Sequence, residues 1–335
     1  MTPGLRRTLL ILIAVALVSG AGAYGVSAYV SYAQRSSAPS EADTNEGEAL
    51  TGPRIVFRNT ASGAGYGEVG MVPITDPGGE RTIIDIACDR VDATEDASVC
   101  LHTDRGVVTR FNATLYDDHW KEVRSWPLAG IPSRTRLSPD STLIGTTAFV
   151  TGHSYATVGF STQTLITGAD GTAYGNLEDF ALNIDGAPYT AVDRNLWGVT
   201  FADDGDTFYA TAASGGRTWL VRGSLDARTL TAVRETAECP SLSPDGTRVA
   251  YKKNVSTTGT AHWAIAVLDL AEGTETVLPE ERSVDDQLEW LDDDTLLYGM
   301  PNDTVGDNDV WSTAADGSGH PAILIEHAWS PAVVR

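Results

Sequence analysis

Cationic side chains are scarce in this chain. Only three of its 335 residues are lysine, and Lys and Arg together number 23 against 45 Asp and Glu. Setting aside Arg6, Arg7 and Arg35 leaves 45 acidic against 20 basic residues, a net charge of −25. A surface of that sign repels phosphate, which argues against nucleic acid and anionic lipid headgroups as direct partners. Cysteine is equally sparse, with three in all. The six histidines are scattered, and no HExxH motif or Cys/His cluster with zinc spacing occurs. No GxSxG is present, so a nucleophile elbow is missing. The one GxGxxG, at Gly65, Gly67 and Gly70, lies between two strand-like runs and reads as a hairpin loop, since a dinucleotide site needs a strand before it and a helix after it. No window beyond the amino terminus sustains a 3.6-residue period, which excludes a helical architecture. These absences leave no catalytic residue, metal or cofactor to assign, and the chain reads as a non-enzyme.

What the sequence does contain is a repeat. In LSPDGTRVAYKK, Leu242–Lys253, a buried strand runs into a Ser-Pro-Asp-Gly turn and an alternating strand returns. Proline presets the first turn angle, aspartate bonds the backbone ahead of it, and glycine takes the positive-φ position. Degraded copies begin at Leu137, Phe201, Trp290 and Ala328. The aligned turn residues Pro139, Asp203, Pro244, Asp292 and Pro331 are 64, 41, 48 and 39 residues apart. Three of these spacings match the ~40–50 residues of one four-stranded propeller blade. The longer first gap holds an insertion between Thr167 and Ala191. Further alternating runs follow each copy, such as His262–Leu270 and Thr274–Pro279. The pattern predicts an all-β, six-bladed β-propeller, with blades at 86–127, 134–190, 196–235, 238–280 and 288–326. The sixth blade pairs the carboxy-terminal strand, HAWSPAVVR, with amino-terminal strands at 54–60, 67–75 and 80–84, closing the ring and removing exposed edges.

SPDGTRVAYKK, the ADGSG turn at Ala315–Gly319 and the closing SPAVV resemble the TolB-type propeller repeat over roughly residues 54–335. CDRV, VCL and ECPSLSPDG are similar to membrane-anchored TolB-like proteins of high-GC Gram-positive bacteria, and 20 Arg against 3 Lys fits such a genome. The resemblance implies a propeller that binds a protein. A Gram-negative TolB protein works with an outer-membrane lipoprotein that a Gram-positive relative lacks, so no partner carries over.

Two arginines, Arg6 and Arg7, precede an uncharged stretch from Thr8 to Gln34, longer than the ~20 residues that span a bilayer. The positive end stays cytoplasmic and the remainder lies outside. Residues 1–34 are therefore expected to form a transmembrane signal anchor. The alternative is a signal peptide cleaved after Ala21-Gly22-Ala23, giving a secreted protein. Residues 35–53 carry no aromatic side chain and read as a disordered linker to the propeller at 54–335.

Cys88 and Cys100 flank a turn-rich segment and fall on neighbouring antiparallel strands, where a disulfide is feasible and export makes it plausible. Cys239, with no evident partner, reads as a small buried residue. The acidic turns at 203–206, 292–294 and 302–309 offer oxygen ligands for calcium, yet Asp and Asn also stand in turns for their own sake. Ser214–Trp219 resembles the end of a sialidase-type repeat in degenerate form, and no arginine triad is evident for a central pocket. The eight tryptophans read chiefly as packing between blades. The insertion at Gly168–Gly186 is the candidate binding loop, with Tyr174, Asn176 and Phe180 mixing rigid aromatic and polar groups. The expectation is a monomeric, single-pass, extracytoplasmic propeller serving as a protein-binding scaffold in the cell envelope. The alternative is a small-ligand or glycan sensor, or a weak hydrolase, that uses the central funnel. Convergent acids at the axis would favour the second reading.

Overall fold

The computed structural model describes residues 38–150 and 161–335, together with scattered helical positions between residues 4 and 30. Among the described residues no helix is long and apolar enough to cross a membrane, and most of the run from Thr8 to Gln34 lies outside them. From residue 54 onward only one short helical turn is described, Leu177–Asp179.

Six antiparallel sheets form the ring. Their innermost strands are Arg90–Ala93, Ile131–Leu137, Asn195–Phe201, Glu238–Leu242, Glu289–Trp290 and Ala328–Val334. We number the blades one to six in that order. Blade six closes the ring: Ala328–Val334 pairs antiparallel with Arg54–Asn59, with Val334 opposite Arg54 and Ala328 opposite Asn59. Its remaining strands are Glu68–Pro73 and Arg81–Ala87.

The Ser-Pro-Asp-Gly turn forms as its residues dictate. Ser243 Oγ donates to Asp245 Oδ1 at 2.5 Å, Thr247 N donates to the same oxygen at 3.0 Å, and Gly246 N reaches Ser243 O at 2.8 Å. Gly246 has φ 70°. In blade two Asp140 takes bonds from Ser138 Oγ and Thr142 N in the same way, with Ser141 at φ 60° where the better copy has glycine. A non-glycine residue there is mildly strained. The repeated aspartate is thus a turn-builder.

Apolar side chains fill the wedges between neighbouring sheets. Trp290 and Tyr298 pack with Ile265 and Leu288 between blades four and five, and Trp290 Nε1 donates to Ser241 O at 2.9 Å. Buried aromatic area of this kind fixes the angle between sheets.

Two segments depart from the expected layout. Residues 38–50, read from composition as a free spacer, lie against blade six. Thr44–Glu46 adds a parallel strand beside Arg81–Ala87, and Leu50 packs near Cys88 and Val91. The insertion after blade two crosses to blade three, where Ala181–Ile184 runs parallel to Thr229–Glu235 on the outer edge. It braces two blades together.

Candidate functional site

The innermost strands place charge on the axis. Each residue of such a strand points either toward a neighbouring blade or into the channel, so alternate residues meet at the centre. Arg90 and Asp92 arrive from blade one, Arg134 and Arg136 from blade two, Cys239 and Ser241 from blade four, and Glu289 from blade five. Bulges in the inner strands of blades three and four bring their backbones together: a Cβ on Gly198 would lie 2.9 Å from Cys239 Cα. Gly198 has φ 67°. The site therefore needs glycine for both space and conformation.

Arg136 is the hub of the upper layer. Its guanidinium pairs with Glu289 and, at 3.3 Å, with Asp92, and donates to Leu288 O at 3.0 Å. Asp92 also accepts from Leu137 N at 2.6 Å. Burial pushes the Asp92 carboxyl up to about 7; the Glu289 charge adds to this and Arg136 opposes it. Burial alone would lower the Arg136 pKa, but Glu289 and Asp92 together hold it above its ordinary value.

A second charged layer lies below. Arg90 pairs with the fully buried Asp286 at 2.8 Å and stacks over Trp329 at 4.8 Å. Lys252 pairs with Asp285 at 2.5 Å. Arg134 faces the Cys239 thiol and both of these aspartates. Burial, with Arg134 adding its charge, brings Arg90 down to about 10. Burial raises Glu238 to about 6, with Asp285 adding and Lys252 opposing. A cavity of about 20 Å³ lies between the layers, lined by Arg90, Asp92, Arg136, Asp286 and Ser330.

Above the Asp92–Arg136–Glu289 layer the channel opens into a funnel of about 700 Å³. Its walls are the hairpin turns of the repeat. Glu95, Asp203, Asp204 and Asp245 supply acid, Arg222 and Arg335 supply opposing charge, and the buried rings of Tyr209 and Trp290 back the wall. The volume is in the range of small-ligand pockets, and the acid-rich wall suits a cationic group or segment.

The residues singled out from sequence fare differently. Cys88 and Cys100 form a disulfide, although Cys88 precedes the inner strand of blade one and does not lie on it. Of Tyr174, Asn176 and Phe180, the structure buries Phe180 and leaves the other two half-buried. Phe180 is only 1% exposed and packs with Leu177, Leu182 and Phe208, Asn176 caps the short helical turn, and Tyr174 is half-buried with its carbonyl held by Arg228. They secure the brace between blades two and three.

In the 302–309 loop Asp307 and Asp309 bond neighbouring donors, while Asp303 stays exposed. Asp307 accepts from Thr60 Oγ1 at 2.7 Å and from Asn302 Nδ2 at 2.8 Å, and bonds His327 Nδ1 at 2.6 Å, tying blade five to blade six. Asp204 and Asp292 accept from their own turn backbones. Among the described residues one cluster has metal-ligating geometry, Asp117, Asp118 and His119, on an exposed turn of blade one. Cys239 is buried as expected. The axial arginines Arg90, Arg134 and Arg136 were not legible as a central group. The available signal was charged residues alternating with apolar ones on strands that otherwise read as buried.

No protein-family model and no curated protein matches the chain. Its fold is similar to that of TolB from Acinetobacter baumannii, with 15% identity over 84% of this chain and 67% of that one and a TM-score of 0.58. It is also similar to a chain of a nidogen/laminin complex, with 13% identity over 84% of this chain and 98% of that one and a TM-score of 0.56. At these identities the likeness shows a TolB-like six-bladed β-propeller and nothing finer.

Proposed function

We propose that this protein is a non-enzymatic, membrane-tethered, extracytoplasmic propeller of the type found in high-GC Gram-positive bacteria, and that it serves as a scaffold that binds another macromolecule in the cell envelope. The observation that carries this reading is the 700 Å³ funnel with its acidic rim, opening above a floor whose charges already pair with one another. A floor of satisfied ion pairs holds the ring in shape, while the exposed acids of the rim remain available to a partner. The amino-terminal apolar run supplies the tether. The nidogen/laminin likeness is compatible with protein binding as one use of such a ring. The test is crosslinking and pull-down of the full chain from its own cell envelope, at low and high salt. The reading expects a reproducible, salt-sensitive partner. The absence of any partner, together with a ligand-dependent rise in melting temperature, would sink it.

One observation favours the second reading, a small-ligand or glycan sensor or a weak hydrolase. Asp92 and Glu289 converge at the funnel floor, and burial poises Asp92 near neutral pH. A buried carboxyl raised toward neutral pH in a cleft is a usual material of acid–base chemistry. Asp92→Asn separates the two readings: it abolishes a ligand-dependent function at the floor and leaves capture at the rim unchanged.

A further inference from the structure

Alternate strands run up and down each blade, so the loops of the propeller fall on two opposite faces. The funnel face carries the turns between first and second strands. In each of blades one to five this turn holds acid, at Glu95, Asp140, Asp204, Asp245 and Asp293. Among the described residues none of the turns on this face presents a well-exposed large apolar side chain.

The opposite face, formed by the loops between second and third strands and the connections between blades, is different. Val107 is 108% exposed, Val305 103%, Val192 78% and Val108 69%, and Tyr66 and Val255 are also exposed. The hairpin tip at 106–108 ends the two longest strands of the ring, Ala97–Arg105 and Thr109–Asp117, and exposed Arg105 and Arg110 flank it. The loops at 60–67, 106–108 and 255–262 contain no Asp or Glu. Other exposed large apolar residues of the ring, such as Val123, Val233, Val277 and Ile323, lie on the fourth strands of their blades.

The chain reaches the propeller on this same face. Ala64 N donates to Ala38 O at 2.9 Å and Glu41 N to Ser62 O at 3.0 Å, which seats residues 38–41 on the 60–67 loop. Tyr66 Oη in that loop donates to Gly306 O at 3.0 Å, beside Val305. Only three residues, 35–37, lie between Gln34, the end of the uncharged run, and Ala38. The four steps from Gln34 to Ala38 reach at most ~14 Å. The chain therefore enters the propeller next to the apolar tips.

We propose that this face is a membrane-docking surface, on which the tips at Tyr66, Val107, Val108, Val255 and Val305 rest in the interfacial layer of the bilayer that holds the amino-terminal run. The acidic face, with the funnel, then points away from the membrane. Valines and a tyrosine at loop tips, with Arg105 and Arg110 beside the tip at 107–108, suit the boundary between acyl chains and headgroups. The acids of the first turns lie on the distal face, while Asp193 and Asp303 remain beside Val192 and Val305. The inference rests on the membrane-tethered reading and adds to it a fixed orientation.

The test uses the full chain in phosphatidylcholine vesicles that contain nitroxide-labelled lipid. Single substitutions Val107→Cys, Val305→Cys and, as the distal control, Glu272→Cys each receive an environment-sensitive fluorophore; Cys239 is buried, and an unsubstituted chain reports its background. Labels at 107 and 305 are expected to be quenched at least ~2-fold more than the label at 272, as for groups lodged in the interface. Equal quenching at all three positions overturns the proposal. Alkaline carbonate extraction tests the anchor separately. A chain that resists extraction but shows equal quenching keeps its anchor and loses the docking face. A chain that washes off loses the anchor reading; excess quenching at 107 and 305 on re-addition to vesicles would still support the docking face, and its absence would overturn that as well.

Discussion

Replacing Arg136 with leucine removes the cation that holds Asp92 and Glu289 together, and the result should depend on pH in a defined direction. The side chains of Arg136, Asp92 and Glu289 are 11%, 8% and 9% exposed, so solvent screens this trio little. Removing one partner of a buried ion pair costs ~3–5 kcal/mol, because the remaining charge stays buried and uncompensated. At ~2–4 °C per kcal/mol for a domain of this size, the melting temperature should fall by roughly 6–20 °C near pH 8. The folded Asp92 carboxyl is raised from 3.8 to about 7. A raised carboxyl gives stability that is fully present below its unfolded pKa and is lost as pH rises through the folded value. Without Arg136 the opposition to that shift is gone, so Asp92 meets the Glu289 charge uncompensated as it ionises. The gap between wild type and Arg136→Leu should therefore be largest near pH 8 and shrink steadily toward pH 4. Denaturant unfolding followed by tryptophan fluorescence at pH 4.5, 6 and 8 measures it. A gap that is constant with pH, or below ~1 kcal/mol at pH 8, would refute the reasoning that Arg136 neutralises two buried acids.

Three further outcomes follow from other contacts. Reducing the Cys88–Cys100 bridge, which spans 12 residues, should lower stability by ~3 kcal/mol, visible as a drop in melting temperature with a phosphine reductant that a Cys88→Ala/Cys100→Ala variant does not show. Asp307→Ala should cost ~2–3 kcal/mol by stripping Thr60, Asn302 and His327 of a charged acceptor at the seam between blades five and six. Burial would raise the Asp307 pKa, but these hydrogen bonds hold it below its ordinary value; its contribution is present above the unfolded pKa of 3.8 and is lost as pH falls through the lower folded value, so wild type and variant should converge in acid. Gly223→Ala should destabilise by ~1–3 kcal/mol, since a Cβ there would meet Phe208 Cζ at 2.1 Å inside the wedge between blades; a neutral effect in a thermal melt would mean that ring is free to move.

The ring was legible because its turns are local chemistry. Ser243, Asp245 and Gly246 satisfy one another within five residues, so each blade carries its own signature and the spacing reveals the period. Closure was legible for a related reason: a lone carboxy-terminal strand and three unassigned amino-terminal ones are edges that need partners. The axis was hidden. Period-2 reading treats a charged residue on a strand as facing solvent, whereas Arg90, Asp92 and Arg136 face a shared channel whose partners come from blades far apart in sequence. The insertion misled for the opposite reason. Tyr174 and Phe180 sit among glycines and acids and look like a presented loop, but Leu177, Phe180, Leu182 and Ile184 together form an apolar set that blade three buries. Residues 44–46 pair through a backbone ladder with 81–83, which composition cannot report.

The central claim is that the funnel rim receives a macromolecular partner. A photocrosslinking residue placed at Glu95 on the rim, compared with one at Val233 on the fourth strand of blade three, tests it directly in the intact envelope. The account predicts a reproducible adduct from position 95 that weakens at high salt, and none of comparable yield from 233. Adducts of equal yield from both positions, or none from the rim, would contradict it.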